Sequence, residues 1–248
     1  MATKGIDCAQ PLTAKDAAGV IAAGFAFVAR YLVPAGYAWK RLTRAEAEAI
    51  SDAGLRIISV YETSTDRPAG GTTNGHADGK SAYREAVAIG QPAGTAIYFA
   101  VDYDAQPKDY DAIEAYLRAA TAELGTAYKT GVYGSFAVVE EMYKRGAADH
   151  YWQTYAWSRG QRSAHANVWQ YRNGETVAGR SVDLNESYGD EGWWSTKGEE
   201  QSMMTPEDAE KIIRFLSAGW YATEDPEARE EFNRLANEVR KAAGLPTQ

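Results

Sequence analysis

Two acidic residues, Asp102 and Asp104, follow an apolar run from Ala96 to Val101 and are separated by one tyrosine. A run of this kind is typical of a strand buried on both faces. Because side chains alternate along a strand, this spacing predicts that both carboxylates enter one pocket, where such a pair can act as general acid and base. Alternatively, the two acids cap the helix predicted next, which explains Asp104 and leaves Asp102 unexplained.

Three further acids stand at the ends of other strand candidates: Asp7, Glu62 and Asp183. In a barrel of parallel strands, the carboxyl ends of all strands meet at one mouth. These acids would then join Asp102 and Asp104 in one cluster contributed by four strands far apart in the sequence. Each acid alone is more often a solvated loop residue or a helix cap, whereas five at strand ends indicate a catalytic site.

The elements that must position these acids are eight strand candidates that alternate with helices, with little room for a helix between the sixth and the seventh. They are Lys4–Asp7, Phe25–Val33, Leu55–Thr63, Ala96–Val101, Tyr128–Ser135, Tyr151–Ser158, Ala166–Asn173 and Arg180–Ser187. This number and order predict an α/β fold, a TIM-like (β/α)8 barrel with some irregularity. In a doubly wound open sheet, strands and helices also alternate, but such a sheet normally has a glycine-rich phosphate turn where this chain has acids.

Residues 68–79 are rich in Gly, Thr and Asn and are expected to form a loop before a helix from Lys80 to Gly90.

Composition excludes several classes of partner. The net charge of -8 and the absence of a basic run argue against nucleic acid or an anionic membrane surface. One cysteine, Cys8, allows no intramolecular disulfide, and the histidines at 76, 150 and 165 lack metal-ligand spacing, so no metal site is expected. No run of 18 apolar residues and no signal peptide is recognisable, so we expect synthesis in the cytoplasm and no membrane insertion.

A different pattern follows the barrel. Two amphipathic helices are predicted, opened by Thr205-Pro206 and Asp225-Pro226 and closed at Gly219 and Gly244. We therefore assign residues 1–195 to the barrel, 196–204 to a linker and 205–248 to a helical hairpin. So small a hairpin is expected to dock on the barrel or to self-associate. Because it is acidic, any affinity for anionic polymers must come from specific contacts, and a merely stabilising role is the plain alternative.

Two adjacent methionines, Met203 and Met204, precede this hairpin. The four residues Lys197 to Glu200 require purine-rich codons, which suggests an internal ribosome-binding site and start. A free tail fragment, assembling with the full chain, would result.

An ordered set of motifs between residues 4 and 188 carries a family resemblance: GIDCAQ, VARYLV, ISVYET, YFAVDYDA, TGVYGSF, YAWS, NVWQY and VDLN. Together they resemble the glycoside-hydrolase-like family known as domain of unknown function 1906, a relative of the lysozymes of glycoside hydrolase family 25. The resemblance implies hydrolysis of the β-1,4 bond between N-acetylmuramic acid and N-acetylglucosamine in bacterial peptidoglycan, with no cofactor. Such enzymes are typical of phage endolysins, which reach the wall after holin-dependent release.

The resemblance also implies roles for the acids. Asp7, Asp102 and Asp183 match acidic positions of family 25, and Asp104 stands where family 25 has its catalytic Glu. Asp is one methylene shorter, so either Asp104 serves as general acid from a closer strand, or Glu62 supplies the proton, or turnover is weak or lost. In the last case the chain is a glycan-binding or regulatory barrel. A metal-dependent deacetylase on a similar barrel lacks the histidines that it needs.

Aromatic residues and one amide near the strand ends are candidates for substrate binding. The chain has seven Trp and sixteen Tyr against six Phe, and the first two types suit sugar-binding clefts because they combine an apolar face with a polar group. The candidates are Tyr31, Tyr61, Tyr133, Trp157, Trp169 and Gln170, the last as a hydrogen-bond partner of an N-acetyl group. About half of such aromatics could instead pack the barrel rim.

Overall fold

The computed structural model describes residues 2–197, 206–242 and 245. The chain divides into two compact units, residues 1–198 and 199–248. In the first unit eight strands close into a barrel in chain order. They are β1 Thr3–Asp7, β2 Phe27–Tyr31, β3 Arg56–Tyr61, β4 Ala96–Ala100, β5 Lys129–Gly134, β6 His150–Thr154, β7 Val168–Val177 and β8 Arg180–Ser187. The predicted eight-stranded α/β barrel is confirmed.

The barrel is mixed rather than fully parallel. Strands β1 to β7 pair in parallel, whereas β8 is antiparallel to both β7 and β1. Only Ala178 and Gly179 join β7 to β8, and both have positive φ angles, 50° and 77°. Two such residues form a tight hairpin turn, while a parallel return needs a crossover of a dozen residues or more. The last strand therefore has to run backwards.

Five helices cover the outer face of the barrel: α1 Ala14–Ala22, α2 Arg44–Asp52, α3 Gly71–Ile89, α4 Tyr110–Leu124 and α5 Phe136–Arg145. Capping side chains determine where several of them begin. Thr13 forms a capping box with Asp16 at α1, and Thr43 accepts from the backbone N–H of Glu46 at α2.

The segment 68–79, predicted to be a loop, is largely helical, because α3 begins at Gly71. Its glycines serve close packing of α3 on α4 rather than flexibility. A Cβ atom on Gly79 would lie 2.7 Å from Ala120 Cα, and one on Gly75 would collide with the Tyr116 carbonyl oxygen. Glycine thus allows two helices to approach more closely than any other residue would.

The hydrophobic core has two layers, one between the strands and helices and one inside the barrel. Every residue of β4 is buried, which confirms the predicted strand covered on both faces. The interior layer consists of Phe27, Ala29, Ile58, Val60, Ala96, Tyr98, Ala100, Trp152 and Val168. Three of these residues, Val60, Ala100 and Trp152, also line a cavity at the carboxyl ends of the parallel strands.

The second unit contains two helices, α6 Pro206–Ala222 and α7 Pro226–Ala242, so the predicted helical pair is confirmed. Helix α6 does not end at Gly219, as predicted, but continues to Ala222. Gly219 instead accommodates the Phe232 ring, which a Cβ atom there would approach to 2.7 Å. Thr205, Gly244, Met203, Met204 and most of the proposed linker lie outside the described residues.

Candidate active site

Carboxylates from four elements surround one cavity of about 130 Å³ at the barrel mouth. The cavity is lined by Asp7, Tyr31, Val60, Glu62, Ala100, Asp102, Tyr133, Trp152, Gln170, Asn173 and Asp183. Asp7 ends β1, Glu62 follows β3, Asp102 follows β4, and Asp183 lies within β8. Of the predicted site residues, the structure brings together four of the five acids, with Tyr31, Tyr133 and Gln170.

Asp7 and Asp183 form the buried side of the cavity. Gln170 Nε2 donates to Asp7 Oδ2 (2.8 Å) and to Asp183 Oδ2 (3.2 Å), and Asn185 Nδ2 donates to Asp7 Oδ2 (2.7 Å). The backbone N–H of Gly174 donates to Asp183 Oδ1 (2.8 Å). Burial, and secondarily the charge of Asp183, raises the pKa of Asp7 to about 7, and burial also raises the pKa of Asp183.

Asp102 and Glu62 form the more open side of the cavity. Burial, and secondarily the negative charge of Glu62, raises the pKa of Asp102 to about 6, although the positive charge of Lys40 opposes this rise. Lys40 Nζ lies 3.5 Å from Glu62 Oε1. A carboxyl group with this pKa is partly protonated at mildly acidic pH, as a general acid must be.

Gln170 is held in one orientation by its other contacts. Its Oε1 accepts hydrogen bonds from the Tyr133 hydroxyl (2.9 Å) and the Thr154 hydroxyl (2.8 Å). Since the carbonyl oxygen has two donors, the amide nitrogen must face the two carboxylates. Gln170, on β7, therefore connects β1, β5, β6 and β8, and it fixes the positions of Asp7 and Asp183.

Asp104 does not enter the cavity, contrary to the expectation that it shares a pocket with Asp102. Strand β4 ends at Ala100, and the backbone N–H of Ala105 donates to the Tyr103 carbonyl oxygen (2.8 Å) in a tight turn. Side-chain alternation stops where the strand stops. Asp104 is exposed, and its carbonyl oxygen accepts from Gln106 Nε2 (3.0 Å).

Three predicted binding aromatics also lie outside the cavity lining. Tyr61 and Trp169 are adjacent in sequence to inward-facing residues, so alternation turns them outward. The Tyr61 ring packs against Phe99 with centroids 5.9 Å apart, and the Trp169 ring packs against Tyr171 at 5.8 Å. Trp157 follows β6, which ends at Thr154 rather than Ser158 as predicted, and its φ angle of 55° belongs to a turn.

Several residues important for the site were missing from the sequence-based prediction. Trp152 lines the cavity and donates from Nε1 to Asn185 Oδ1 (2.9 Å), and Asn173 also lines it. Alternation from Thr154 could have identified Trp152, and the spacing of two from Asp183 could have identified Asn185. Lys40 comes from the segment after β2, where no local pattern indicates it.

The residues that the structure describes contain no group of three or more His, Cys, Asp or Glu side chains suited to a metal ion. Within the same residues, no helix is both long and apolar enough to cross a membrane.

An α/β barrel with a carboxylate-lined cavity at its mouth is the architecture of glycoside-hydrolase-like proteins. Residues 18–194 match the family described as Rv2525c-like, glycoside hydrolase-like domain. The chain belongs to this family.

The chain is also similar to individual known proteins. The chain is 32% identical over 160 residues to the uncharacterized protein FadG of Bacillus subtilis, covering 58% of this chain and 27% of FadG. It thus spans about a quarter of that relative's length. The crystal structure of the Mycobacterium tuberculosis Tat-secreted protein Rv2525c in complex with L-tartrate has a TM-score of 0.71 at 26% identity, covering 78% of this chain and 99% of Rv2525c.

The fold also matches that of GHIP, a glycosyl hydrolase 25 of Streptococcus pneumoniae, with a TM-score of 0.53 at 13% identity, covering 74% of this chain and 86% of GHIP. The predicted glycoside-hydrolase-like barrel is confirmed, and the likeness to GHIP shows that the two proteins share a fold.

Proposed function

We propose that the chain is a peptidoglycan hydrolase of the muramidase type, which cleaves the β-1,4 bond between N-acetylmuramic acid and N-acetylglucosamine. The observation that carries this proposal is the convergence of Asp7, Glu62, Asp102 and Asp183 on one cavity at the barrel mouth. Glycosidases use carboxyl groups as acid, base or nucleophile, so this donor set suits hydrolysis of a glycosidic bond.

Asp102 is the general acid in this proposal. Its carboxyl group is only half-buried, it lines the cavity, and its pKa is raised to about 6. It donates a proton to the glycosidic oxygen as the bond to the anomeric carbon breaks, and water then adds to that carbon and gives a proton to a carboxylate of the site. Glu62, on the neighbouring element, is the alternative donor.

Asp183 supports the positive charge that develops on the sugar ring. Its two carboxylate oxygens accept N–H hydrogen bonds from Gly174 and Gln170, which keep the group in place. An ionised carboxylate at this position stabilises an oxocarbenium-like transition state or orients the N-acetyl group of the substrate. Asp7, behind it, is the most buried acid of the cluster.

The test is chemical analysis of digested cell walls. Purified peptidoglycan is incubated with the full chain and then reduced with borohydride, so that new reducing ends become sugar alcohols. Formation of muramitol is the expected result, and its release should be lost in Asp102→Asn. Absence of new muramitol, or an equal yield from Asp102→Asn, would refute the assignment.

A second function, a glycan-binding barrel without turnover, is favoured by one observation. Asp104, which stands where the resemblance places the catalytic Glu of family 25, is exposed and does not line the cavity. This hypothesis predicts that the chain sediments with insoluble peptidoglycan while no reducing ends appear. Either function places the protein at the bacterial cell wall.

A further inference from the structure

Trp39 is the most exposed tryptophan of the chain, with 63% of its surface accessible. It lies between the short 3-10 turn Ala35–Tyr37 that follows β2 and the beginning of α2 at Arg44. A large indole ring left in solvent is unusual, because burying such a ring contributes more than burying any other side chain. Its position relative to the cavity suits it to ligand binding.

Lys40 links this indole ring to the cavity. Its ammonium nitrogen lies 5.5 Å from the centroid of the Trp39 ring, 4.4 Å from the centroid of the Tyr31 ring, and 3.5 Å from Glu62 Oε1. Tyr31 and Glu62 both line the cavity. A single ammonium group therefore separates the exposed indole from two residues of the carboxylate site.

The segment that carries Trp39 is held in place by a buried side chain of β2. Arg30, which is fully buried, donates from Nη2 to the Lys40 carbonyl oxygen (3.2 Å) and from Nε to Glu46 Oε1 (2.7 Å). Because both charges of this ion pair are buried, moving either side chain away would leave a buried charge without its partner, which is costly. The indole is thus presented on a fixed backbone, as a binding platform requires.

The cavity itself is too small to hold a disaccharide. Pockets that enclose a drug-sized ligand have volumes of roughly 300 Å³ or more, whereas this cavity has about 130 Å³. A glycan with one sugar at the carboxylates must therefore continue across the mouth. The exposed Trp39 indole lies on the Lys40 side of the cavity, and the C–H face of a pyranose packs well on such a ring.

We propose that Trp39 is a sugar-binding platform, which stacks on a pyranose ring of a β-1,4-linked N-acetylhexosamine chain while an adjacent sugar lies at the cavity. The Lys40 ammonium lies over the indole ring, and most of the Trp39 surface is exposed to solvent. This inference rests on the glycan specificity of the proposed function and is independent of whether the bond is cleaved.

The experiment measures binding without turnover. The ligand is a peptide-free tetrasaccharide of alternating N-acetylglucosamine and N-acetylmuramic acid, titrated by calorimetry into full-length variants that all carry Asp102→Asn. Trp39→Ala should weaken binding about three- to tenfold, the worth of one aromatic contact. Trp39→Phe, which keeps a ring, should stay within about twofold of the parent.

A matched control separates this effect from general loss of surface aromatics. Tyr143, on α5, is 48% exposed, packs on His165 and does not line the cavity. Tyr143→Ala should leave the affinity unchanged. Equal affinity in Trp39→Ala and its parent, or no measurable binding by the parent, overturns the inference. Binding that depends on Trp39 in a chain that releases no muramitol refutes only the proposed hydrolysis.

Discussion

Asp7 and Asp183 lie directly opposite each other on β1 and β8, and one amide nitrogen of Gln170 donates to both. This pairing exists because β8 runs antiparallel to β1, which places the middle of β8 beside the end of β1. Two carboxyl groups so close, and largely buried, cannot both be ionised without cost. The arrangement has a measurable consequence for stability.

Substituting Asp7 should change how stability depends on pH. The folded-state pKa of Asp7 is about 7, above its ordinary value of 3.8. Between these values the folded chain binds more protons than the unfolded chain, so the free energy of unfolding falls as pH rises. We expect Asp7 to account for a loss of a few kcal/mol, at most about 4, between about pH 4 and 7. Urea unfolding of the parent and of Asp7→Asn across this interval measures it.

In Asp7→Asn this titration is absent, so its free energy of unfolding should fall less over the same range. Parallel pH profiles for the two chains would show that Asp7 is not the titrating group.

Removing the Gln170 side chain should destabilise the fold and reduce any turnover. Gln170→Ala leaves Asp7 and Asp183 without a shared donor and the Tyr133 and Thr154 hydroxyls without their acceptor. Each buried polar group left unpaired costs about 1–3 kcal/mol. Chemical denaturation should therefore show a free energy of unfolding that is lower by at least this amount.

Gln161→Ala, at an exposed glutamine, is the control, and its free energy of unfolding should stay within about 0.5 kcal/mol of the parent. Similar losses in both variants would contradict the structural role of Gln170.

The sequence was sufficient to predict the barrel because its signals are local. The apolar run of β4, the capping threonines and the alternation of strands with helices are each visible within a few residues. Asp7, Glu62 and Asp102 could be placed at the mouth because parallel strands share a direction. The location of Asp183 was predicted, but the reversed strand that pairs it with Asp7 depends on a two-residue turn.

Other features could not be predicted, because they depend on where regular geometry stops. Asp104 was expected in the cavity on the assumption that β4 extends past Ala100, and the tight turn after the strand ends the alternation. Tyr61 and Trp169 were one residue out of phase with the inward positions. Lys40 and Trp39 lie in a segment without regular structure, whose path is set by the buried Arg30 of β2.

The buried ion pair below this segment should contribute strongly to stability. Glu46→Gln leaves the fully buried Arg30 guanidinium without its counter-charge, although Arg30 keeps its contacts with backbone carbonyl oxygens. Breaking such a pair on one side typically costs about 3–5 kcal/mol. Glu48→Gln, on the same helix, removes only an exposed pair with Arg44 and should cost less than about 0.5 kcal/mol. Equal thermal unfolding of the two variants would contradict this role.

The pH dependence of wall hydrolysis should follow Asp102. A general acid must be protonated, so activity should fall as pH rises through about 6, the pKa of this group. Because the Lys40 charge lowers the pKa of Asp102, Lys40→Met should move this limb of the profile to higher pH. Lys129→Met, at an exposed position where β5 begins, should leave it in place. A shift to lower pH in Lys40→Met would conflict with the arrangement of charges.

The most direct measurement compares two variants that differ only in which acid after β4 is neutralised. Release of reducing ends from peptidoglycan is measured at about pH 5, where a group with a pKa near 6 is protonated. Asp102→Asn should lower the rate by about 10²–10⁴-fold, the usual contribution of a general acid, whereas Asp104→Asn should stay within about twofold of the parent. Loss of activity in Asp104→Asn with retention in Asp102→Asn would contradict the account.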